Sequence, residues 1–487
     1  MVPPASPSAH LDALLPDPPE LSVTPEPSDL NPFMQGEAGP FSPPSDGYRS
    51  SIGEALAWLD RHINLEAIES GKAGRHALPT LDRISALVAA MGDPQKSYPV
   101  IHLTGTNGKG STAQMCAALL MALGLNPGVY ASPNLQKINE RMAVGGLPIT
   151  DVQLAVQLAA MAELEVFVGV QATWFELVTA TAFRWFADEA VDAAVVEVGL
   201  GGRYDATNVA DASVSVVTNV ELDHTDILGP TRTDIAREKA GIVKPGSWLI
   251  LGEMDPSLAR VFSDEATEAG AAGSWKRGLD FGTDGNRAAV GGRSVDLYTP
   301  AGRYEGIFVP LFGAHQADNA ACALAAVQAL VGVPLTSSVV ADAFASVKVP
   351  GRLEVVGRKP LVILDGAHNA AGALAVGAAL REDFGAGPDR RIVVVMGCLR
   401  GRDPVELLEG LGPGQISSVV ACTAPSPRAQ GGDVIAAAAK TLGIESSEQA
   451  TVGDALASAL GLAGDAGMII VTGSLYVVGE ARTLLGA

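Results

Sequence analysis

Residues 104–112 read TGTNGKGST, a spacing of glycine, lysine and hydroxyl residues that suits binding of nucleotide phosphates. Glycines let backbone N–H groups point at phosphate oxygens, and the N-terminus of a following helix adds partial positive charge. Lys109 would reach the β- and γ-phosphates, and a hydroxyl beyond it would contact Mg²⁺. The motif differs from the common phosphate-loop sequence, because Gly110 separates Lys109 from Ser111.

The flanks of this loop decide between a phosphate site and an ordinary glycine-rich turn. A strand-like apolar run at 98–103 precedes the loop, and a helical apolar run at 113–123 follows it. Strand, glycine-rich turn and helix in that order are the context that favours phosphate binding. The sequence therefore predicts that the nucleotide contacts Thr106, Asn107, Gly108, Lys109, Gly110, Ser111 and Thr112.

Two other apolar runs also end in polar residues suited to metal or phosphate. Glu197 closes the run AAVV and is followed by VGLGGR, and His224 follows the run at 213–219. Ligands of an open parallel sheet gather where strands end, and an acid there can hold a hydrated metal. The alternative for Glu197 is a solvated turn, which the glycine-rich loop disfavours. His102 lies inside a strand and is interpreted as structural.

Composition limits the classes of protein that fit. A formal net charge of −21 argues against nucleic acid or an anionic membrane as a partner. The four cysteines are widely spaced in apolar stretches without CxxC, which favours buried reduced thiols over a metal site or disulfides. The start MVPPASPSAH has neither a basic nor an apolar leader segment, and no apolar run is long enough to span a bilayer. We expect a cytoplasmic monomer.

The chain divides by composition into a tail and two domains. Residues 1–50 hold twelve prolines and seven acids, so a flexible acidic tail is expected, with an interaction arm as the alternative. Ser51 and Glu54 form a capping-box pattern before the first helix, and a second helix is predicted at 80–91. The predicted domains are 51–347, whose phosphate loop indicates ATP binding, and 350–487, with a hinge at 348–351.

Strand-length and helix-length apolar patterns alternate through both domains, which is typical of parallel sheets covered on both faces. The predicted fold is α/β, with two doubly wound domains: an N-terminal P-loop ATPase domain and a C-terminal Rossmann-like domain. Strands are predicted at 99–104, 126–131, 192–198, 213–219, 247–251, 360–365, 391–397, 416–423 and 467–472. Helices in the first domain are predicted at 111–123, 151–165, 173–189, 233–239 and 315–331. Residues 270–310 break the pattern with short β-like pieces.

Six motifs in order resemble the ATP-dependent amide ligases that include folylpolyglutamate and dihydrofolate synthases. After TGTNGKGS come VVEVGLGGRYDATNV (195–209), TNVELDHTDILGPTRTDIAREKAGIVKPG (218–246), GAHQADNAACALAA (313–326), PGRLEVV (350–356) and LDGAHNAAGA (364–373). The muramyl ligases belong to the same group but usually carry Thr or Ser directly after the lysine. The order Lys-Gly-Ser at 109–111 is similar to the folate branch.

The resemblance implies metal ligands and a modified lysine. It suggests Ser111, Ser132, Glu197 and His224 as Mg²⁺ ligands, although Asn134 stands where the family has histidine after Ser-Pro. Lys239 matches a lysine that carries a CO₂-derived carbamate in this family. The alternative for Lys239 is an ordinary lysine at a helix C-terminus, stabilised by the helix dipole.

The resemblance also implies that the second domain, 350–487, binds glutamate, and it assigns residues in and near that domain. Gln316 and Asn319 resemble adenine-side contacts, and Arg352 resembles an arginine that reaches ATP. Asp365 and His368 resemble groups that face the phosphates, with a plain helix N-cap as the alternative for Asp365. The arginines of GCLRGRD at 397–403 and the turn TGS at 472–474 suit phosphate or the carboxylate of an amino acid.

The activity implied by the resemblance is ligation of L-glutamate to dihydropteroate or to a reduced folate, driven by ATP through an acyl phosphate. The residues given catalytic roles are Lys109, His224, Lys239, Asp365 and His368. GGRYDATN at 201–208 looks closer to the bifunctional form, although Arg203 and Asp205 could equally be a surface pair. A muramyl-type ligase and an NTPase without ligase activity are the alternatives.

Overall fold

The apolar runs of the first half of the chain form one eight-stranded sheet in the computed structural model, which describes residues 51–64, 80–387 and 390–487. Its strands are β1 (Val100–Thr104), β2 (Pro127–Tyr130), β3 (Met142–Val144), β4 (Leu147–Pro148), β5 (Ala193–Glu197), β6 (Val214–Val217), β7 (Trp248–Leu251) and β8 (Gly273–Lys276). They lie in the order β4-β3-β2-β5-β1-β6-β7-β8. The five strands predicted here are confirmed, whereas β3, β4 and β8 were missed.

Helices cover both faces of this sheet, as the continuous apolar strands require. They are α1 (Ile52–Leu59), α2 (Asp82–Ala90), α3 (Lys109–Ala122), α4 (Asp151–Val168), α5 (Trp174–Asp188), α6 (Thr225–Leu228), α7 (Arg232–Ala240) and α8 (Pro256–Ala269). The capping box predicted at Ser51 and Glu54 is present at α1. Helix α8 was missed, although Asp255 caps it and Pro256 opens it, which are usual start signals.

Alternation along β1 divides the core between the two faces. Ile101 and Leu103 pack in one cluster with residues of α3, while Val100 packs in the other with residues of α5. Successive strand side chains point to opposite faces, so a strand buried on both sides must be apolar throughout. His102 is the polar exception: it is fully buried, and its Nε2 lies 2.8 Å from Thr207 Oγ1, in agreement with its structural interpretation.

Residues 282–309 form a separate antiparallel sheet where the sequence predicted only short β-like pieces. Its strands are β9 (Gly282–Ala289), β10 (Gly292–Thr299) and β11 (Gly302–Val309), in the order β11-β10-β9. Helices α9 (His315–Val331) and α10 (Ser337–Ala345) follow. Val295 and Leu297 of β10 join the core that α3 and α9 share, so this small sheet packs on the helices that cover one face of the large sheet.

The last third of the chain forms a six-stranded sheet, in the order β12-β13-β17-β14-β15-β16. The strands are β12 (Glu354–Arg358), β13 (Leu361–Leu364), β14 (Ile392–Met396), β15 (Ser418–Cys422), β16 (Glu445–Gln449) and β17 (Met468–Thr472). The helices are α11 (Ala370–Glu382), α12 (Pro404–Leu411), α13 (Gly432–Thr441), α14 (Val452–Ala463) and α15 (Leu475–Leu484). The four predicted strands are confirmed, whereas β12 and β16 were missed. The sequence of β16, ESSEQ, is polar, as an edge strand can be.

The two mainly parallel sheets agree with the predicted α/β class. Antiparallel strands extend one edge of each: β3 and β4 in the first sheet, and β12 in the second. The domain boundaries and the hinge at 348–351 stay predictions, and the expected tail at 1–50 lies outside the described residues. No helix in the described ranges is long and apolar enough to cross a membrane. All four cysteines are buried and free, as predicted.

Candidate active site

The sheet order brings three predicted site segments to one edge. Strand β1 lies between β5 and β6, and all three run parallel. Their carboxyl ends therefore meet: the phosphate loop follows β1, Glu197 is the last residue of β5, and the segment 218–224 follows β6. This is the edge at which open α/β sheets bind ligands.

The loop after β1 has the geometry of a phosphate cradle. Gly105 and Gly108 have φ angles of 148° and 85°, which side chains other than glycine rarely adopt. Gly108 is the N-cap of α3 and provides no side-chain cap, so the first N–H groups of the helix remain available for an anion. Lys109 Nζ lies 3.1 Å from Gly105 O and 3.4 Å from Thr106 O, so the lysine folds over the loop.

Hydrogen bonds from the segment after β6 stabilise this loop. Asn107 N donates to Asn219 Oδ1 at 3.0 Å, and Thr218 Oγ1 donates to Asn107 O at 2.7 Å. Thr106 is held on its other side, because its Oγ1 accepts from Glu221 N at 2.9 Å. These contacts hold the loop open for phosphate before any ligand binds, which reduces the entropy cost of binding.

The start of α9 packs directly on the loop. A Cβ built at Gly108 would collide with Asn319 Oδ1, so Gly108 has to be glycine for steric as well as conformational reasons. Asn319 Nδ2 donates to Gln316 Oε1 at 3.0 Å, and both side chains are buried. The structure thus brings the two predicted adenine-side residues to the phosphate loop.

Glu197 and Ser132 lie together against the first turn of α3. Ser132 N donates to Glu197 Oε2 at 3.3 Å, and a Cβ at Gly110 would lie 3.4 Å from that same oxygen. Ser111, the next residue in the helix, is buried. Burial raises the pKa of Glu197, an effect that the nearby cation of Lys109 opposes.

This donor set fits Mg²⁺ in the form that nucleotide enzymes use. Within the described ranges, no group of three or more His, Cys, Asp or Glu side chains could hold a metal ion. Mg²⁺ usually keeps several waters and binds through one or two carboxylates plus phosphate oxygens. One carboxylate at Glu197 and one hydroxyl at Ser111 meet that need.

His224 lies in a strained backbone conformation beside a carboxylate and an arginine. It caps the short helix α6 with a φ angle of 48°. Its Nε2 lies 3.3 Å from Arg402 Nη2 and 3.7 Å from Asp223 Oδ1. Burial lowers the pKa of His224 to about 4, so the ring is neutral at physiological pH and can accept or ligate.

Lys239 is buried and reaches the phosphate loop. Its Nζ donates to Gly105 O at 2.9 Å, the same carbonyl that Lys109 contacts. Burial, followed by repulsion from Lys109, lowers the pKa of Lys239 to about 7. A lysine that only stabilised the C-terminus of α7 would not cross to this loop, so the helix-dipole alternative does not describe the contact.

The Asp365 carboxylate accepts hydrogen bonds from backbone N–H groups and does not cap a helix. Its two carboxylate oxygens accept from Leu353 N at 2.9 Å and Ala367 N at 2.8 Å. The N-cap of α11 is Asn369, whose side chain accepts from Gly372 N, so the N-cap alternative for Asp365 is wrong. Burial raises the pKa of Asp365, against the nearby positive charge of Arg352.

The second sheet also brings Arg352 close to Glu197, and His368 and Arg402 close to the segment 218–224. A Cβ built at Gly366 would lie 2.8 Å from Arg352 Nη1, which places that guanidinium on the loop after β13. His368 Nδ1 lies 2.9 Å from Gly366 O, and its Nε2 lies 3.7 Å from Asp223 Oδ2. Burial, together with Arg402, lowers the pKa of His368 to about 4.

Asp223 is the functional candidate that the sequence did not single out. It accepts from Arg402 Nη1 and from Asn369 Nδ2, the latter at 3.0 Å. Burial would raise the pKa of Asp223, but His224, Arg402 and His368 outweigh that effect and hold this pKa below its usual range. Of these three neighbours, Arg402 is the one that is positively charged at physiological pH. Its position directly before His224 at a strand end was the available signal.

Three other residues from the sequence analysis hydrogen-bond to neighbouring protein groups. Asn134 Oδ1 accepts from Arg141 Nε at 2.7 Å, and the Arg141 guanidinium lies 4.7 Å from the centre of the Trp174 ring. Thr112 Oγ1 bonds Gly108 O at 2.9 Å. Ser474 caps α15 by accepting from Tyr476 N at 3.1 Å.

The surface pair considered for Arg203 and Asp205 does not exist. Arg203 pairs with Glu265 at 2.8 Å. Asp205 is buried, and it accepts from Leu200 N at 2.9 Å and from Thr207 N at 3.0 Å. The buried Asp205 carboxylate therefore stabilises the conformation of the loop after β5.

Comparison with protein families agrees with this geometry. Residues 103–327 match the Mur ligase middle domain, and residues 351–475 match the glutamate ligase domain of Mur ligases. A dihydrofolate synthase/folylpolyglutamate synthase of Mycobacterium tuberculosis is 38% identical over 444 residues, which cover 84% of this chain and 90% of the relative.

Solved structures of similar proteins hold nucleotides and substrates. Folylpolyglutamate synthase of Mycobacterium tuberculosis, complexed with ADP and AMPPCP, superposes with a TM-score of 0.82 at 37% identity, covering 90% of this chain and 98% of that one. FolC of E. coli, in complex with DHPP and ADP, gives 0.79 at 30% identity with the same coverage. A bifunctional synthase with Mn, AMPPNP and L-glutamate bound gives 0.77 at 28% identity, again covering 90% and 98%.

Proposed function

Because the chain belongs to the family of folylpolyglutamate and dihydrofolate synthases, we propose that it is an ATP-dependent ligase that adds L-glutamate to dihydropteroate, to reduced folates, or to both. The observation that carries this proposal is the 38% identity to a folate ligase across 84% of the chain. Both Mur ligase models match in the expected order. A muramyl-type ligase is the less favoured candidate, because the M. tuberculosis relative and the three similar solved structures are folate ligases.

The first step is transfer of the γ-phosphoryl group to the acceptor. A carboxylate oxygen of the folate or pteroate bonds to the γ-phosphorus, and the bond to ADP breaks, giving an acyl phosphate. Lys109 and the N–H groups at the start of α3 stabilise charge on the transferred group. Contact between Asn319 and Gly108 supports a role for Gln316 and Asn319 on the adenine side of the nucleotide, and Arg352 would reach the nucleotide from the second sheet.

The second step forms the amide. The amine of L-glutamate attacks the acyl carbon, phosphate leaves, and the ammonium proton is lost to a base. Arg402 and His368, which follow strands of the second sheet, are suited to orient glutamate and phosphate. Closing the cleft would exclude water, which otherwise hydrolyses the acyl phosphate.

Mg²⁺ would be held by Ser111 and Glu197, with Ser132 and His224 as further ligands. Such a metal neutralises phosphate charge and orients the oxygens for displacement. The related synthase with Mn and AMPPNP bound supports a divalent ion together with a nucleotide. We also propose a carbamate on Lys239, because a buried amine with a pKa of about 7 is partly neutral and can bond CO₂ with loss of one proton.

We expect ADP release to depend on both an acceptor and L-glutamate. The physical reason is that the acceptor carboxylate and the glutamate amine are themselves the nucleophiles, so omission of either one leaves the reaction incomplete. A coupled ADP assay with each substrate omitted in turn measures this. Equal ATP hydrolysis with neither substrate present would instead identify an NTPase without ligase activity.

We expect the same site to use both acceptors. The loop at 201–208 resembles the bifunctional form, and the M. tuberculosis relative is named for both activities. Steady-state assays with dihydropteroate and with tetrahydrofolate, each with ATP and glutamate, measure this. Product from only one acceptor would reduce the function to the corresponding single synthase.

The location and the oligomeric state also stay predictions. The sequence predicts a cytoplasmic monomer. Size-exclusion chromatography with light scattering measures the oligomeric state.

A further inference from the structure

Asn369 lies where the second sheet meets the phosphate loop. It is the N-cap of α11, and its Oδ1 accepts from Gly372 N at 2.8 Å. The side chain is buried, with 7% of its surface exposed. The N-cap interaction uses only the oxygen of the amide, which leaves the NH₂ group for other partners.

The same amide bridges two segments of the first sheet. Asn369 Nδ2 donates to Asn107 Oδ1 at 3.1 Å, and Asn107 Nδ2 donates to Asn369 Oδ1 at 3.3 Å. Asn369 Nδ2 also donates to Asp223 Oδ2 at 3.0 Å. We call the reciprocal Asn107–Asn369 pair the amide bridge; it joins residues 262 positions apart.

Asp223 extends the amide bridge to the residues proposed to bind glutamate. One of its oxygens accepts from Asn369 and the other from Arg402 Nη1. A carboxylate fixed by one donor presents its second oxygen in a defined direction, and so fixes the guanidinium that pairs with it. A continuous hydrogen-bonded chain therefore runs from the phosphate loop through Asn369 and Asp223 to Arg402.

We propose that Asn369 is a positioning residue that couples the phosphate loop to Arg402 through the amide bridge and Asp223. The inference rests on the proposed ligase function. Its consequence is that Arg402 is held in position for glutamate when phosphate occupies the loop. Loss of the coupling lets the acyl phosphate form while the amine and Arg402 are poorly placed. Water then competes for the acyl phosphate, and ADP is released without amide product.

Two substitutions separate this role from helix capping. Asn, Asp and Ser are about equally good N-caps, so a residue that only capped α11 would tolerate either change. Asn369→Ser keeps an N-cap oxygen but is too short to bridge. Asn369→Asp keeps the shape but replaces the NH₂ donor with an oxygen that faces Asp223, where like charges repel.

The experiment measures the ratio of amide product to ADP in the full-length enzyme. We expect that ratio to fall about tenfold in Asn369→Ser and further in Asn369→Asp, since each charge-linked hydrogen bond lost corresponds to about a tenfold change or more. Loss of these buried hydrogen bonds also lowers the thermal midpoint, but the product-to-ADP ratio is independent of that loss because both quantities scale with the amount of folded enzyme. Thr451→Ser is the matched control, because Thr451 caps α14 in the same way.

A product-to-ADP ratio that is unchanged in both variants would overturn the inference and leave Asn369 as an N-cap. Failure of the proposed function is a different result: wild-type enzyme would give no glutamate-dependent product. In that case hydrogen exchange tests the coupling. ADP should slow amide exchange in the first turn of α11 in wild type and in Thr451→Ser, but not in Asn369→Ser. Equal slowing in all three would overturn the inference.

Discussion

Lys109→Ala is expected to reduce ATP-dependent turnover by a factor on the order of a hundred to a thousand, the usual cost of losing one preorganised electrostatic group. The ammonium lies over Gly105 O and Thr106 O, within the cradle that receives the phosphates. Its loss leaves the charge that develops on the transferred phosphoryl group without its nearest side-chain cation. Steady-state ADP release and nucleotide affinity measure the two parts of this effect.

The fold should survive this change, because Lys109 is only half-buried and bonds loop carbonyls rather than the core. Lys96→Ala is the control, since Lys96 is exposed and pairs with Asp93 at the surface. We expect the control to keep full turnover. Turnover in Lys109→Ala within a few-fold of wild type would contradict the assignment of this loop to the phosphates.

Lys239→Ala is the second variant with a large expected effect. A carbamate on Lys239 would place a carboxylate beside the phosphate loop, and alanine removes both that charge and the amine. We expect turnover to fall by a factor on the order of a hundred or more. Acetate or formate should restore part of it, because a small carboxylate can enter the space that the side chain leaves.

The rescue has an internal control. The same carboxylates should not restore Lys109→Ala, whose missing group is a cation. Full activity in Lys239→Ala would refute the proposal, and so would a crystal structure with an unmodified amine.

The carbamate also predicts the direction of the pH dependence. Since the pKa of Lys239 is lowered to about 7, a fall in pH below that value converts the amine to ammonium, which does not react with CO₂. Activity of enzyme equilibrated at low CO₂ should therefore fall as the pH drops below about 7.

The sequence by itself determined the class of fold and the phosphate loop. Both depend on local signals: apolar runs of strand length, helical periodicity, and glycines that permit the φ angles of 148° and 85° seen at Gly105 and Gly108. Polar residues at the ends of β5 and β6 marked Glu197 and His224 for the same reason. Resemblance to a family then supplied Lys239, Asp365 and His368, which no local pattern indicates.

Only the tertiary structure decided what those residues contact. Lys239 reaches a carbonyl 134 positions away, and Arg402 reaches Asp223 across 179 positions. Such pairs depend on sheet order and on the placement of one sheet against the other, and strand patterns do not encode either of these. The polar edge strand β16 was missed because an edge strand need not be apolar. Asp365 and Asn369 show the same limit: both precede α11 with side chains able to cap it, and only the three-dimensional contacts assign the cap to Asn369 and the inner backbone bonds to Asp365.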